Sequence, residues 1–373
     1  MRIVLVGGGT GGHFNPLIAV AEVLNTYEKP PQLYYFGPEP YNQTTLDENN
    51  IKYVYCPAGK VRIYASIQNF FDLFVTFFGF WFALIKLYII YPDVIFSKGS
   101  FTSVPVLLAA KLLRIPVVIH ESDAVPGRAN LLAKNFARFI AISYNDAAPF
   151  FPQEKTALTG IPLRKILLTP HPDPFSVLGI PPDLPLIYVT GGSSGAERIN
   201  NLVLRCLDTL LPHYRIFHQT GEKNFDQLKL AAKSLVTDPI QQSRYYPHSS
   251  VSPEIVSALL TAASIVVTRA GSTTLFEIAI HGKPSIVIPI PEDISRDQRS
   301  NAYAFARAGG AVVIEERNLT EALLTSEIHS IMQNPQLYQE MSQAAVNFAH
   351  RDAAHKIATS LIFIGKEHGS YQP

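Results

Sequence analysis

The chain has 373 residues, of which 47% are hydrophobic and 16% are charged, and its formal net charge is +1. This length is sufficient for two domains of ordinary size. The near-neutral charge argues against a nucleic-acid-binding protein, since that class normally carries a strong basic excess.

One local pattern occurs twice along the chain. A short β-branched run at residues 3–6 leads into the glycine-rich turn 7–12, and another run at 186–189 leads into the turn 191–195. A stretch with helical spacing follows each turn. A strand, a glycine turn and a helix in this order begin a doubly wound α/β domain. The sequence therefore predicts an α/β protein with two Rossmann-like, doubly wound domains that face each other across a cleft.

Prolines mark the boundary between the two predicted domains. They are concentrated between residues 170 and 185, and their density argues against a regular helix or a central strand there. We predict an N-terminal domain over residues 1–165, a linker over 166–184 and a C-terminal domain over 185–373. The final helix is a candidate to pack back on the N-terminal domain.

Further predicted strands end in polar residues. Lys98, Gly99 and Ser100 follow a predicted strand at 94–96, and Glu121 follows another at 117–119. In open parallel sheets, ligands bind beyond the carboxyl ends of the strands. We therefore expect these residues to lie at a binding site.

An apolar segment interrupts the first predicted domain. Residues 73–85 carry no charge, but a membrane-spanning helix needs about 20 apolar residues, and the strands on either side must join one sheet. We therefore predict a helix that lies on a membrane surface, with Lys60, Arg62 and Lys86 nearby. The alternative is a helix buried on both faces. The predicted membrane contacts are aromatic: Phe74, Phe77, Phe78, Trp81 and Phe82.

Two features bear on the cellular compartment. Cys56 and Cys206 lie far apart and lack the spacing of a metal or redox motif, which fits a reducing environment. The first residues lack the basic and apolar regions of a secretion signal. We expect a cytoplasmic protein.

The first glycine turn matches the pattern G-x-G-x-x-G, which is a weak signal alone. A dinucleotide site also needs an acidic residue after the second strand, but that strand ends in Gly37 and Pro38, and His13 follows the glycines. A purely structural turn is the alternative; we favour an anion at the helix N-terminus. The turn 191–195 suggests a second phosphorylated ligand. The nearest approach to an acidic metal motif, Glu121-x-Asp123, is weak, so we predict no metal and no cofactor.

Two residues of the second half allow structural interpretations. Thr274 to Glu277 matches a capping box, in which Glu277 would serve only the helix start. Arg269 precedes a glycine turn, where it would bind either a phosphate or a neighbouring carboxylate.

These motifs, taken in order, resemble the MurG family of bacterial peptidoglycan synthesis. The matching blocks are 8–13, 97–101, 120–127, 160–164, 191–196, 218–221, 269–277 and 297–302. The resemblance implies a GT-B fold and a metal-independent, inverting transfer of N-acetylglucosamine (GlcNAc) from UDP-GlcNAc to the C4 hydroxyl of MurNAc in lipid I, which gives lipid II. It also implies a peripheral protein on the cytoplasmic face of the bacterial cell membrane.

The resemblance assigns roles by position. The implied UDP-GlcNAc contacts are Thr10, Gly11, Gly12, Asp123, Arg164, Ser193, Val251, Ser272, Thr273, Thr274, Leu275, Phe276, Glu277 and Gln298. The implied contacts of the acceptor diphosphate are Gly11, Gly12, His13, Gly99 and Ser100. The expected general base is His13 or Glu121, and the sequence does not choose between them.

Three positions depart from the commonest family pattern. Asp123 and Asp297 stand where many members have Asn and Gln, and a carboxylate accepts hydrogen bonds but does not donate them as an amide does. Ser100 stands where a glycine is frequent. The alternatives to the MurG activity are another GT-B lipid glycosyltransferase, a UDP-GlcNAc 2-epimerase and a nucleotide-binding protein without activity.

Overall fold

The computed structural model describes residues 1–59, 67–192, 195–292 and 297–370, except for the side chains of 67–70 and 370. The chain divides into two compact units. The first comprises Met1–Lys165 and His350–Pro373, and the second comprises Ile166–Ala349. The segment 166–184, which we predicted as a linker, thus belongs to the second unit, and the C-terminal helix belongs to the first.

Each unit contains one parallel β-sheet. The strands of the first unit are β1 Arg2–Val6, β2 Gln32–Gly37, β3 Ile51–Tyr55, β4 Val94–Ser97, β5 Val117–Glu121, β6 Phe139–Ile142 and β7 Thr156–Leu158. Those of the second are β8 Leu186–Thr190, β9 Arg215–Gln219, β10 Tyr245–His248, β11 Ala263–Thr268, β12 Ser285–Val287 and β13 Ala311–Val313. The spatial orders are β3-β2-β1-β4-β5-β6-β7 and β10-β9-β8-β11-β12-β13.

Helices connect the strands in both units. The α-helices are α1 Gly11–Leu24, α2 Gln43–Glu48, α3 Ile67–Ile90, α4 Val104–Leu113, α5 Arg128–Ala133, α6 Lys165–Leu168, α7 Pro174–Leu178, α8 Glu197–Leu210, α9 Phe225–Leu235, α10 Pro239–Gln242, α11 Pro253–Ala262, α12 Ser272–Ile280, α13 Gln298–Arg307, α14 Glu321–Gln333, α15 Pro335–Phe348 and α16 Ala353–Ser370. Short 3-10 helices lie at Phe101–Ser103, Asn145–Phe150, Gln153–Lys155, Glu222–Asn224 and Glu316–Asn318.

The strand order reverses once in each sheet. In the first unit the chain adds β2 and β3 on one side of β1 and then continues with β4 on the other side. In the second unit the chain adds β9 and β10 on one side of β8 and then continues with β11 on the other side. Open α/β sheets bind ligands at such a switch point, beyond the carboxyl ends of the strands. Both glycine turns follow the first strand of their unit and therefore lie at these points.

The C-terminal helix α16 is held by the core of the first unit. Its residues Ile357 and Leu361 are fully buried together with Leu17 and Leu24 of α1. Burying an aliphatic side chain stabilises a fold by about 1.5 to 3 kcal/mol. This apolar contact explains why a helix at the end of the chain belongs to the unit that begins it.

The proline-rich segment contains a helix that the sequence analysis did not predict. Helix α7 starts with Pro174, and the carboxylate of Asp173 accepts a hydrogen bond from the backbone N–H of Ser176 at 3.3 Å. Proline is well tolerated at the first helical position, because that N–H has no partner within the helix. Our expectation that this segment excludes a helix was wrong for these five residues.

Helix α3 exposes most of its apolar residues. Its side facing the sheet buries Gly79, Ala83 and Leu87. The exposed side, called here the apolar face, consists of Phe71, Leu73, Phe74, Val75, Phe77, Phe78, Trp81, Ile85, Tyr88 and Ile89. The alternative of a helix buried on both faces is therefore wrong. Phe82, which we grouped with the exposed aromatics, is only half-buried and packs against Tyr55 with ring centroids 5.9 Å apart.

By length and composition, Phe71–Ile90 could cross a membrane, with a mean hydropathy of 2.1. The topology argues against it. Helix α3 connects β3 to β4, and both are parallel strands of one sheet. The two ends of a spanning helix lie on opposite sides of a membrane, whereas both ends of α3 lead into the same sheet. Lys60 and Arg62, which we placed near this helix, lie outside the described residues.

Candidate active site

The first cluster of site residues lies at the switch point of the first sheet. Strands β1, β4 and β5 are neighbours there, and the glycine turn, Gly99 with Ser100, and Glu121 follow or end them. Two hydrogen bonds join the first two loops: Gly8 N–H donates to Thr102 Oγ1, and Ser100 Oγ donates to the Gly8 carbonyl oxygen, each at 3.0 Å. These segments therefore lie at one edge of the sheet, beyond the carboxyl ends of β1, β4 and β5, and their role in binding stays a prediction.

Close packing under the turn requires glycine at its start. A Cβ atom on Gly7, whose φ is 144°, would lie 2.7 Å from Cβ of Lys98. A Cβ atom on Gly8 would lie 2.4 Å from the hydroxyl oxygen of Tyr35. The glycines therefore allow the turn to lie directly on β4, with helix α1 starting at Gly11 immediately after it.

His13 lies in the first turn of α1 and is partly buried. Its Nδ1 atom is 2.9 Å from Oγ1 of Thr10, which fixes the ring. Burial lowers the pKa of His13 to about 4, with a further lowering by the Lys98 ammonium and an opposing effect of the Asp123 carboxylate. The imidazole is therefore neutral at pH 7 and able to accept a proton.

Glu121 lies at the end of β5 and is only 3% exposed. One carboxylate oxygen accepts the N–H of Asp123 at 3.0 Å. The other accepts the N–H of Gly127 and the side-chain amide of Asn130, both at 2.9 Å. Burial and the neighbouring Asp123 raise the pKa of Glu121 to about 7, although these hydrogen bonds oppose the shift. The carboxylate organises the loop 121–127.

Lys98 directly follows β4 and is 1% exposed. Its backbone N–H donates to the Val6 carbonyl oxygen at 2.8 Å. Within the described part of the chain, its Nζ atom has no hydrogen-bond partner. Burial lowers the pKa of Lys98 to about 8, while the carboxylates of Glu121 and Asp123 act in the opposite direction. A buried ammonium without a hydrogen bond is costly, and such groups are concentrated at functional sites.

Ser100 has a φ of 76° and a ψ of 160°, a conformation that favours glycine. This is the position at which the sequence departs from a frequent family glycine. The Ser100 hydroxyl holds the turn through its bond to Gly8. Serine therefore contributes a contact at a position with backbone strain.

Arg164 belongs to the first unit, near the carboxyl end of β7. Its Nε atom forms an ion pair with Oε1 of Glu22 at 3.0 Å, and the Lys165 N–H donates to the other Glu22 oxygen at 2.8 Å. The guanidinium is thus oriented by helix α1. A role in binding the donor diphosphate remains a prediction.

The second cluster lies at the switch point of the second sheet. Helix α12 starts at Ser272, directly after β11, and Gly271 is its N-cap. The interpretation of Thr274 to Glu277 as a capping box was wrong, because the helix starts two residues before Thr274. The first helical turn therefore presents its N–H groups at the carboxyl edge of the sheet, where an anion is stabilised.

Some side chains of α12 are buried in the core, whereas others are partly exposed at the candidate site. Leu275 and Phe276 are buried, and the Phe276 ring packs on Phe348 with centroids 5.0 Å apart. Only the backbone of these two residues is suited to a ligand. Thr273, Thr274 and Glu277 are partly exposed. Burial raises the pKa of Glu277 to about 8, so its carboxyl group is mainly protonated at pH 7.

Three other residues were predicted to contact the donor: Gln298, Val251 and Ser193. The Oε1 atom of Gln298 accepts the N–H groups of Ala270 at 3.2 Å and Ile290 at 3.3 Å, which leaves its amide NH₂ group as a donor. Val251 follows β10 and packs partly against the core. Ser193 lies outside the described residues.

Arg269 pairs with a carboxylate, one of the two alternatives from the sequence. Its Nη2 atom is 2.6 Å from Oε2 of Glu316, and Nη1 donates to the carbonyl oxygens of Ile288 and Pro289. Arg198 contacts the other Glu316 oxygen at 3.0 Å. The Arg269 side chain is only 12% exposed, so it holds together the loops beside α12.

Family models match most of the chain. The glycosyltransferase family 28 N-terminal domain matches residues 3–142, and the C-terminal domain of the same family matches residues 186–357. The chain belongs to glycosyltransferase family 28. It is therefore a glycosyltransferase, and its two parallel-sheet units correspond to the two domains of this family.

A named relative indicates more specifically than the family models which enzyme the chain resembles. A protein of Treponema denticola named UDP-N-acetylglucosamine--N-acetylmuramyl-(pentapeptide) pyrophosphoryl-undecaprenol N-acetylglucosamine transferase is 36% identical over 329 residues, which cover 84% of this chain and 83% of the relative. This name is that of the MurG enzyme. The resemblance inferred from the motifs is therefore confirmed at the level of the family.

Solved structures share the fold. The crystal structure of Acinetobacter baumannii MurG matches with a TM-score of 0.73 and 23% identity, covering 97% of this chain and 100% of that one. A UDP-GlcNAc 2-epimerase from Neisseria meningitidis matches with a TM-score of 0.71 and 15% identity, covering 97% and 100%. These likenesses confirm the GT-B fold of the family 28 chain.

Lys98 was expected to lie at a binding site, but no individual chemical role was predicted for it. A lysine directly after a predicted buried strand and before a Gly-Ser pair is the signal that could have identified it. Asn130, which bonds both Glu121 and the His120 carbonyl oxygen, carried no comparable signal. Its role depends on helix α5 packing beside β5.

Proposed function

We propose that this family 28 enzyme transfers GlcNAc from UDP-GlcNAc to the C4 hydroxyl of MurNAc in lipid I, giving lipid II and UDP in peptidoglycan synthesis. The observation that carries the proposal is the 36% identity to a transferase of that name over 84% of this chain. The attacking hydroxyl must lose a proton in this reaction. The neutral imidazole of His13, beside the glycine turn, can accept that proton and so supports the proposal chemically.

His13 is the base in this proposal, and Glu121 is a positioning residue. Glu121 is buried, and both its oxygens already accept hydrogen bonds from the loop 121–127 and from Asn130. His13 is more accessible, and its Nδ1 atom is engaged with the Thr10 hydroxyl. Its Nε2 atom is thus the proposed acceptor of the proton. General-base assistance contributes about 10² to 10⁴ in rate.

The bound acceptor should make His13 a stronger base. A base works best when its pKa lies near the working pH, whereas burial holds the pKa of His13 at about 4 without ligand. The acceptor diphosphate is negatively charged, and we place it at the N-terminus of α1, where His13 lies in the first helical turn. A nearby negative charge favours the protonated imidazole and so raises its pKa.

The second unit binds the donor in this proposal. The first turn of α12 faces the UDP diphosphate, with helix N–H groups stabilising the charge that develops on the leaving group. Glu277 accepts the ribose hydroxyls, and Gln298 donates from its NH₂ group to the GlcNAc. Helix dipole and backbone N–H groups need no metal ion for this task, so the transfer is metal-independent.

Two carboxylates distinguish this chain from the common pattern. Asp123 lies beside Glu121 at the end of β5, and its charge raises the pKa of both His13 and Glu121. An asparagine there would lack this effect. We infer that Asp123 moves His13 toward a stronger base, and that Asp297, next to Gln298, contacts the sugar only as an acceptor.

The apolar face of α3 is the proposed membrane contact. Phe77, Phe78 and Trp81 are 55%, 64% and 49% exposed, which is unusual for adjacent aromatic residues of a soluble surface. A groove of about 720 Å³ between α3 and α4 is edged by Lys111 and Arg114. Apolar side chains with cations beside them suit an anionic lipid surface. The enzyme would thus lie on the cytoplasmic face of the membrane that holds lipid I.

The assignment of the base is tested by two variants. His13→Gln should lower kcat by about 10² to 10⁴ with little effect on the UDP-GlcNAc KM. Glu121→Gln can keep one acceptor oxygen for Gly127 and Asn130 but loses the oxygen that accepts from Asp123, and its kcat should fall less than about tenfold. A larger loss of kcat in Glu121→Gln than in His13→Gln would assign the base to Glu121. Near-normal turnover by both variants would remove both residues from this role.

A further inference from the structure

The end of strand β9 carries a buried amide that the proposed mechanism does not use. Gln219 is the last residue of β9 and is 8% exposed. Its Oε1 atom accepts hydrogen bonds from the Tyr188 hydroxyl at 2.9 Å and from the Thr190 hydroxyl at 3.1 Å. Among the described residues, its side-chain NH₂ group has no hydrogen-bond partner. An almost buried donor without a partner is costly, so this NH₂ group calls for an acceptor.

The side chain of Gln219 lies on the sheet face that carries α12. Side chains alternate between the two faces of a strand, so Gln219 shares its face with Phe217. Phe217 belongs to one buried cluster with Tyr188 of β8 and Leu275 of α12. The intervening His218 points to the other face, where its ring bonds to α8. Gln219 therefore lies at the carboxyl edge of the sheet, on the side of the helix whose first turn we propose to face the UDP diphosphate.

One of the hydroxyls that bind Gln219 also holds the second glycine turn. Thr190 is the register partner of Gln219 in the sheet, and its Oγ1 atom accepts the Gly192 N–H at 3.1 Å. This hydroxyl therefore donates to Gln219 and accepts from Gly192. Because Oε1 of Gln219 is turned toward the two hydroxyls of β8, the NH₂ group of the same planar amide points away from them. The network thus fixes the direction of a hydrogen-bond donor beside the turn.

We propose that Gln219 is a substrate-binding residue whose amide nitrogen donates a hydrogen bond to a phosphate oxygen of the donor UDP-GlcNAc. The neighbouring groups suit an anion, since Gly192 follows β8 at the switch point and the first turn of α12 presents helix N–H groups. An amide NH₂ group only donates, which matches the acceptor oxygens of a phosphate. The identity of the ligand rests on the proposed function, whereas the orientation of the amide does not.

The direct test is a calorimetric titration of the full-length protein with UDP at about pH 8, with Gln219→Glu as the variant. The glutamate has nearly the same shape and keeps an oxygen for both hydroxyls, which favour its ionised form, but it lacks the NH₂ group. Its affinity for UDP should fall about tenfold or more, because a hydrogen bond to a charged group is lost and two negative charges approach each other. Gln339→Glu adds the same charge at an exposed position of α15 and is the matched control.

Uridine, which lacks phosphate, separates the two parts of the nucleotide. Its binding, followed by NMR, should be nearly the same in wild type and in Gln219→Glu. An equal loss of affinity for UDP and for uridine overturns the proposal, because Gln219 would then contact the base or the ribose. An unchanged affinity for UDP in the folded variant also overturns it, since a purely structural amide is replaced by a glutamate that keeps both hydroxyl bonds. In turnover, the UDP-GlcNAc KM should rise about tenfold while the acceptor KM keeps its wild-type value.

The wild-type protein supplies a test that needs no variant. A crystal structure with bound UDP should place Nε2 of Gln219 within about 3.5 Å of a phosphate oxygen. A longer separation overturns the proposal even if Gln219→Glu does not fold. The binding measurements use no lipid I. If lipid I proves not to be the acceptor while Gln219→Glu still weakens UDP binding, only the proposed function fails. If lipid I is the acceptor and Gln219→Glu binds UDP normally, only the role of Gln219 fails.

Discussion

Glu277→Gln removes a carboxyl group whose titration should be visible in protein stability. Burial raises the pKa of Glu277 from 4.5 to about 8. A group with a raised folded-state pKa contributes stability that is fully present below its unfolded pKa and is lost as the pH rises through its folded pKa. The glutamine does not titrate. The wild-type protein should therefore lose stability relative to Glu277→Gln between pH 4.5 and about pH 8.

The size of this change follows from the shift. One proton corresponds to about 1.4 kcal/mol for each pH unit, which gives about 3 kcal/mol between pH 5 and pH 7. The Glu277 side chain keeps some contact with solvent, and solvent screens the charge. We therefore expect about 1 to 2 kcal/mol. For a unit of this size, each kcal/mol moves the unfolding temperature by about 2 to 4 °C.

Scanning calorimetry of both proteins at pH 5, 6 and 7, without nucleotide, measures this difference. The advantage of Glu277→Gln over wild type should grow with pH. Glu222→Gln changes an exposed glutamate of the same unit and serves as the matched control. A difference between wild type and Glu277→Gln that stays constant from pH 5 to 7 would refute the reasoning.

Three further predictions concern backbone strain, the apolar face and the buried ion pair. Ser100→Gly should unfold at a higher temperature than Ser100→Ala, because only glycine relieves about 1 to 3 kcal/mol of strain; equal temperatures would contradict this. The double variant Phe78→Glu/Trp81→Glu places charges on the apolar face and should reduce co-sedimentation with anionic vesicles about tenfold or more. The control Leu230→Glu, on the second unit, should not reduce it. Equal losses in the two proteins would argue against α3 as the membrane contact. Glu316→Ala should cost about 3 kcal/mol in calorimetric stability, since it leaves a buried arginine without its carboxylate; a loss below about 1 kcal/mol would indicate that the pair contributes little.

The glycine turns were predictable because their chemistry is local. A β-branched strand, glycines and a helical stretch are consecutive in the sequence. The first turn follows β1 as predicted, although α1 already begins at Gly11, and Gly191 and Gly192 follow β8. The placement of the first glycine turn and the loop after β5 at one edge of the sheet was also predictable in outline. Carboxyl ends of neighbouring parallel strands lie at one edge.

The missed features depend on packing between distant segments. Lys98 is buried, without a hydrogen-bond partner for its Nζ atom among the described residues, because β1 and β5 lie on either side of β4. The carboxylate that pairs with Arg269 belongs to Glu316, which follows β13 of the second sheet and is distant from Arg269 in the sequence. The capping box predicted at Thr274 was wrong, since the helix begins earlier at Ser272 with Gly271 as its N-cap and without a side-chain cap. Local patterns locate turns well, but they do not give the partners of charged side chains.

The proposed function is tested most directly by incubating the purified enzyme with radiolabelled UDP-GlcNAc and EDTA, with and without lipid I. A diacylglycerol acceptor in a parallel reaction tests the alternative lipid glycosyltransferase. We predict label in a lipid product only when lipid I is present, together with release of UDP. Transfer to diacylglycerol, or consumption of UDP-GlcNAc without any lipid product, would contradict the proposal.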